Sequence, residues 1–140
     1  MDYRSLAKVA IEAKELSYSP YSEFQVGAAL LTKSGKVYTG CNIESASFSP
    51  TNCAERTALF KAVSEGEREF AAIAVTGAPK GKEGGYAYPC GVCRQMLKEF
   101  FADDVVVIVA KTEEDYKVHT FGEILPFGFG SADLKREGSL

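Results

Sequence analysis

The sequence predicts an α/β fold, a mixed sheet whose strands are joined by crossover helices, and three observations carry that expectation. From about residue 37 to residue 110 the apolar pattern runs strand, helix, strand, helix, strand, the rhythm of crossover connections. Val105 to Ala110 is an unbroken aliphatic stretch, as suits a strand covered on both faces. The chain has 140 residues, 46% of them apolar. That is the size of one domain, expected over residues 1–140, and large enough to bury roughly 68 to 70% of its unfolded surface without disulfide staples.

The elements follow in order. Leu6, Val9, Ala10, Ala13 and Leu16 recur at three- and four-residue spacing, which predicts an amphipathic helix over about Asp2 to Leu16, ended by Pro20. Phe24 to Thr32 turns strand-like, Lys33-Ser34-Gly35-Lys36 supplies a turn, and Val37 to Ile43 returns as the second arm of a hairpin. A helix is expected from Asn52 or Cys53, burying Ala54, Ala58, Leu59, Ala62 and Val63 until Gly66. Phe70 to Thr76 reads as a buried strand. Gly77 to Pro89, rich in glycine, reads as a loop, and Gly91 to Ala102 as a third helix bearing Met96, Leu97 and Phe100. Tyr116 to Phe121 alternates like an edge strand. No repeat or low-complexity segment interrupts the pattern.

Charge and hydropathy narrow the function classes. Sixteen Lys and Arg against 19 Asp and Glu give a net charge of -3. No basic run stands ready to neutralise successive phosphates, so a nucleic-acid polymer is not an expected partner. No apolar stretch approaches the roughly 20 residues of a membrane span. Charged residues from Asp2 to Glu15 break the apolar segment that a signal peptide needs, so a cytoplasmic location is expected. In a reducing compartment, Cys41, Cys53, Cys90 and Cys93 read as metal ligands or a reactive thiol before they read as disulfides.

Cys53-Ala54-Glu55 and Pro89-Cys90-Gly91-Val92-Cys93 each fall where a loop or strand enters a helix. Free N–H groups and a partial positive charge at such a start favour thiolates, the form that binds zinc. Cys90 and Cys93 on one first turn can chelate an ion that Cys53 completes, leaving the fourth tetrahedral position open, as in a catalytic zinc site. Three thiolates on Zn²⁺ sum to a formal negative charge. Arg56 is placed to offset it by donating to a ligating sulfur, unless it serves a surface ion pair. Glu55 is placed to move a proton between water and a substrate nitrogen, unless Asn52 and Glu55 form a helix capping box. A dithiol redox pair and a closed four-thiolate site using Cys41 are the other readings of the cysteines. Cys41 otherwise reads as a small core residue within a strand. His119, the sole histidine, reads as an ordinary, partly exposed side chain on the edge strand.

These residues resemble the zinc nucleoside deaminases, in the variant whose ligands are three cysteines. Four blocks, Phe24-Gln25-Val26-Gly27-Ala28-Ala29, Gly40-Cys41-Asn42-Ile43-Glu44, Asn52-Cys53-Ala54-Glu55-Arg56-Thr57-Ala58 and Pro89-Cys90-Gly91-Val92-Cys93-Arg94-Gln95, are similar in order and spacing to the small homotetrameric cytidine deaminases over nearly the whole chain. The resemblance implies a three-layer α/β/α domain with a mixed sheet of about five strands. It also implies one Zn²⁺ per subunit on Cys53, Cys90 and Cys93, and hydrolysis of cytidine and 2'-deoxycytidine to the uridine nucleosides and ammonia, a pyrimidine salvage reaction. Water activated on the zinc would attack C4 while Glu55 shuttles protons to N3 and to the departing amine. By the same resemblance Asn42 and Glu44 bind the ribose 3'-hydroxyl, Phe24 lines the pyrimidine pocket, and the backbone at Ala54 addresses the base. Phe129 in Pro126-Phe127-Gly128-Phe129 matches an aromatic that enters a neighbouring subunit's site, so the active sites of a homotetramer would be shared.

Two positions depart from that pattern. Phe48 stands where many relatives have tyrosine, which removes a hydroxyl and bears on 5'-hydroxyl recognition. Val92 replaces a common alanine, a packing change. Blasticidin-type deaminases share the zinc and the glutamate but lack the ribose pair, so Asn42 and Glu44 favour a nucleoside. A polynucleotide editor would need phosphate contacts that the acidic balance does not offer. A non-catalytic zinc assembly module would leave Glu55 without a task.

Overall fold

The computed structural model describes residues 1–134, and the last six residues of the expected domain lie outside the described residues. In chain order the elements are α1 (Tyr3–Lys14), β1 (Phe24–Thr32), β2 (Val37–Cys41), α2 (Ala54–Ser64), β3 (Phe70–Pro79), α3 (Gly91–Lys98), β4 (Val106–Ala110), β5 (Tyr116–Thr120), α4 (Phe121–Ile124) and α5 (Ser131–Leu134). The strands form one five-stranded sheet in the order β2-β1-β3-β4-β5. Only β3 and β4 run parallel as neighbours; the other pairs are antiparallel. The α/β expectation, with its mixed sheet of about five strands, therefore holds. The short helices α4 and α5 were not legible, because four residues carry too little periodicity to register.

Side-chain alternation along the strands divides the core in two. Ala28, Leu30, Ile73, Val75, Val107 and Val109 face α2 and α3, joined by Phe70, Phe101 and Phe121. The intervening residues Ala29, Ala72, Ala74, Ile108 and Ala110 face Leu6, Ala7 and Ala10 of α1. A helix layer on each side of the sheet gives three layers. The α1 face is built of small residues, so the helix backbone comes close to the strands. A Cβ on Gly27 would stand 2.1 Å from the Ala10 carbonyl oxygen.

The topology sets where the helices begin. β2 and β3 both run antiparallel to β1 and are thus parallel to each other, with α2 crossing between them; α3 crosses between the parallel β3 and β4. Both crossover helices pack on one face, and each leaves the same end of the sheet, outside the carboxyl ends of the parallel strands, where α/β sheets bind ligands. The start of α2 sits hard on β2: a Cβ on Gly40 would lie 2.3 Å from the Ala54 carbonyl oxygen and 2.5 Å from the Ala58 nitrogen.

Gly40→Ala is therefore expected to push α2 off the sheet and cost about 1–3 kcal/mol of stability in denaturant titrations. Gly91→Ala, where a Cβ meets no atom within 4 Å, should stay within about 0.5 kcal/mol of the parent. Equal effects from the two would refute the close-approach argument.

Candidate active site

Cysteines occupy the N-cap positions of both α2 (Cys53) and α3 (Cys90), in extended conformation and without a side-chain capping bond. Their sulfurs are thus left for other use, and the positive ends of two helices meet over them. Cys53 Sγ lies 3.8 Å from Cys90 Sγ, and the sulfurs of Cys53, Cys90 and Cys93 all lie within 4.8 Å of one another. A tetrahedral ion with Zn–S bonds of about 2.3 Å spaces its sulfurs about 3.8 Å apart, so the trio fits zinc. It is the one such ligand group among the described residues. Cys41 is not part of it. Its thiol donates to the Leu16 carbonyl at 3.4 Å and is only half-buried, so it is neither a fourth ligand nor the buried core residue the strand pattern suggested.

The trio's electrostatics follow from crowding. Hydrogen bonding from Cys93 lowers the Cys53 thiol to about 5, against the effect of burial, with Arg56 and Cys90 assisting. Cys93 is pushed far up by its bond to Cys53 and by burial. Arg56 Nη2 donates to Cys53 Sγ at 3.4 Å, the contact anticipated from its position in the sequence.

Glu55, in the first turn of α2, is 3% exposed, and its Oε1 has no hydrogen-bond partner. Burial pushes its carboxyl up to about 7, with the neighbouring Cys53 charge adding to the rise. The capping-box alternative fails: Asn52 donates instead to Thr57 Oγ1 at 3.1 Å, and Thr57 to the Cys53 carbonyl. A buried carboxyl with one unpartnered oxygen, titrating near neutrality beside three convergent sulfurs, has the properties of a general acid–base group.

A cavity of about 180 Å³ opens beside the sulfurs, lined by residues that include Phe24, Asn42, Thr51, Glu55, Tyr88 and Cys90. Phe24 lies over Gly77, where a Cβ would meet its ring at 2.8 Å. Asn42 is pinned: its Oδ1 accepts from the Val26 amide at 2.9 Å and from the Ser17 hydroxyl, and its Nδ2 donates to the Phe24 carbonyl at 2.8 Å. One amide proton is left for a ligand. Glu44 borders the adjoining cleft with Tyr21 and Phe48, its carboxylate accepting from the amides of Tyr21 (3.0 Å) and Ser22 (3.1 Å). Ala54 is fully buried at the start of α2. Phe129 does not line this cavity; the residue is 57% exposed while its carbonyl accepts from Gln95 at 2.9 Å. Sequence reasoning missed Thr51 and Tyr88. Tyr88 had a signal, its place immediately before Pro89-Cys90.

Two helix starts converging on a thiolate trio beside a protected carboxyl define the zinc-dependent deaminase class. Comparison with known proteins agrees. Residues 1–109 match the cytidine and deoxycytidylate deaminase zinc-binding region, and the chain belongs to that family. It is 49% identical over 134 residues to the cytidine deaminase of Halalkalibacterium halodurans, covering 96% of this chain and 98% of that one. It is 43% identical to a probable cytidine deaminase of Dictyostelium discoideum, over 89% of this chain and 82% of the relative. The crystal structure of cytidine deaminase from Burkholderia pseudomallei superposes with a TM-score of 0.84 at 46% identity, covering 92% of this chain and all (100%) of that one.

In the metal-free chain the raised Glu55 carboxyl makes a signed prediction. The fold disfavours its charged form, so wild-type stability falls as pH rises from about 4.5 to about 7 and levels off above. Glu55→Gln should therefore be more stable than wild type at pH 8, by about 1–3 kcal/mol, with the advantage gone by pH 4. Thermal melts of both proteins across that range test it, and a gain that grows toward acid would contradict the burial argument.

Proposed function

We propose that this chain is a zinc-dependent hydrolase that deaminates cytidine and 2'-deoxycytidine to the corresponding uridine nucleosides and ammonia. The observation that carries the reading is Glu55, buried with its Oε1 unpartnered beside three convergent sulfurs. Cys53, Cys90 and Cys93 would hold the zinc, and Arg56 would steady the Cys53 sulfur. Zn²⁺ held there supplies Lewis acidity, which lets water ionise near neutral pH. Glu55 then takes the water proton and delivers it to N3 of the base as the C4–O bond forms. It would next take the proton of the new C4 hydroxyl and pass it to the exocyclic amine, so that the C4–N bond breaks, the C4 carbonyl forms and ammonia leaves. Phe24 forms a wall of the base pocket, the backbone at Ala54 addresses the base edge, and Asn42 and Glu44 hydrogen-bond the ribose 3'-hydroxyl. Glu44 is oriented for that by the amides of Tyr21 and Ser22.

The exposed Phe129 supports a further part of the reading, a homotetramer in which this ring enters a neighbouring subunit's site. The apolar groove along α2 and α3, with Phe60, Val92 and Met96, supplies a face for such packing. A single domain working on free nucleosides in the cytoplasm fits an acidic chain in which no described helix is long and apolar enough to cross a membrane.

One set of assays tests the chemistry. Purified protein should carry one zinc per chain and convert cytidine to uridine, and Glu55→Gln should keep the zinc while kcat falls by several powers of ten. Retained activity in that variant would refute the mechanism. 3'-Deoxycytidine and free cytosine should lose roughly 10⁴-fold in kcat/KM if Asn42 and Glu44 read the ribose; parity with cytidine, or equal activity on single-stranded DNA, would refute the nucleoside assignment.

Sedimentation velocity tests the assembly. A tetramer is expected, and Phe129→Ala should leave its mass unchanged while raising KM. A fully active monomer would remove the shared-site proposal.

A further inference from the structure

Between β3 and α3, residues 83–90 have no repetitive structure, yet this stretch ends at Cys90 and must be held in place. Two tyrosines strap it to β5 and the residue just before it. Tyr86 Oη donates to Asp115 Oδ1 at 2.5 Å, and Lys117 Nζ stands 4.6 Å from the centre of the Tyr86 ring. Tyr88 Oη lies in hydrogen-bond contact with His119 Nε2 at 2.8 Å, the two rings 5.4 Å apart between centroids. The partners alternate on both sides: Tyr86 and Tyr88 on the loop, Asp115 just before β5, and Lys117 and His119 on the strand. Ala87, between the tyrosines, turns the other way toward Phe24 and Gly77, where a Gly77 Cβ would stand 2.9 Å from the Ala87 methyl.

His119 is itself held. It pairs with Val107 in the β4–β5 register, which places it on the α2–α3 face of the sheet. Its Nδ1 lies 3.9 Å from Glu123 Oε2, while Glu123 Oε1 accepts from the Thr120 amide at 3.0 Å in the capping box of α4. Tyr88 also lines the cavity that contains Phe24, Asn42 and Glu55. One side chain thus serves both as anchor and as cavity wall.

We propose that His119 is a positioning residue for the reaction: by holding the Tyr88 hydroxyl it fixes the Tyr88 ring as a wall of the cavity, so that the nucleoside binds in one pose. The inference rests on the nucleoside reading above. Without the anchor the Tyr88 ring samples other rotamers, and the substrate must pay the ordering entropy on binding. The loss therefore falls on affinity.

The test uses the zinc-loaded protein and two readouts, steady-state kinetics with cytidine and the equilibrium Kd for the product uridine by calorimetry. His119→Phe and Tyr88→Phe keep the rings and remove the hydrogen bond. Each should raise KM and the uridine Kd about 3- to 10-fold, with kcat within about 2-fold and zinc content unchanged. The double variant should be no worse than either single one, because both remove the same interaction. His119→Gln, which retains a hydrogen-bonding group, should recover most of the affinity. Unchanged KM and Kd, additive losses, or a loss confined to kcat or zinc would each overturn the proposal. A wild-type protein inert toward cytidine would instead overturn the nucleoside reading itself.

Discussion

The site depends on one geometric constraint, the requirement that two helices begin at the same end of one sheet. β2, β3 and β4 are mutually parallel although only two of them are neighbours, and each of the crossover helices α2 and α3 starts, after a connecting loop, at the end of the sheet where these strands finish. Sulfurs distant in sequence are thereby brought within 4.8 Å. The same convergence aims the positive ends of both helices at them, favouring the thiolate form. Closeness without that field would leave mutually repelling anions; the field without closeness would leave no chelate.

Small residues make the convergence possible. Glycine at position 40 lets the first turn of α2 lie against the backbone of β2, and alanines on the opposite face let α1 lie equally close. The sheet is clamped between helices whose distances are set by missing side chains, and the first turn of α2 inherits its position from that clamp. Glu55 is buried for this reason. Its desolvation follows from packing, and its proton affinity near neutrality follows from desolvation.

The helix N-caps show how local preference yields to a site. Ser, Thr, Asp or Asn would stabilise each start by about 1 kcal/mol through a side-chain bond, and cysteine at both caps forgoes it. The asparagine before Cys53 bonds Thr57 and not the helix end. A side-chain cap is forgone at each start, and the sulfur is left available.

Periodicity and composition alone determined much: the order of strands and the three long helices, the sheet as mixed, and Cys53, Cys90 and Cys93 as candidate ligands with Glu55 and Arg56 beside them. These are legible because helix and strand periods, and the chemistry of Cys-X-X-Cys next to a helix start, are local properties. Only the tertiary structure decided between the open alternatives. It withdrew Glu55 from a capping role, separated Cys41 from the sulfur trio, and brought Tyr88 and His119 together across 31 residues of chain. Each of these depends on distances between segments far apart in sequence. Strand pairing and helix packing set such distances, and no periodic pattern in a single chain encodes them.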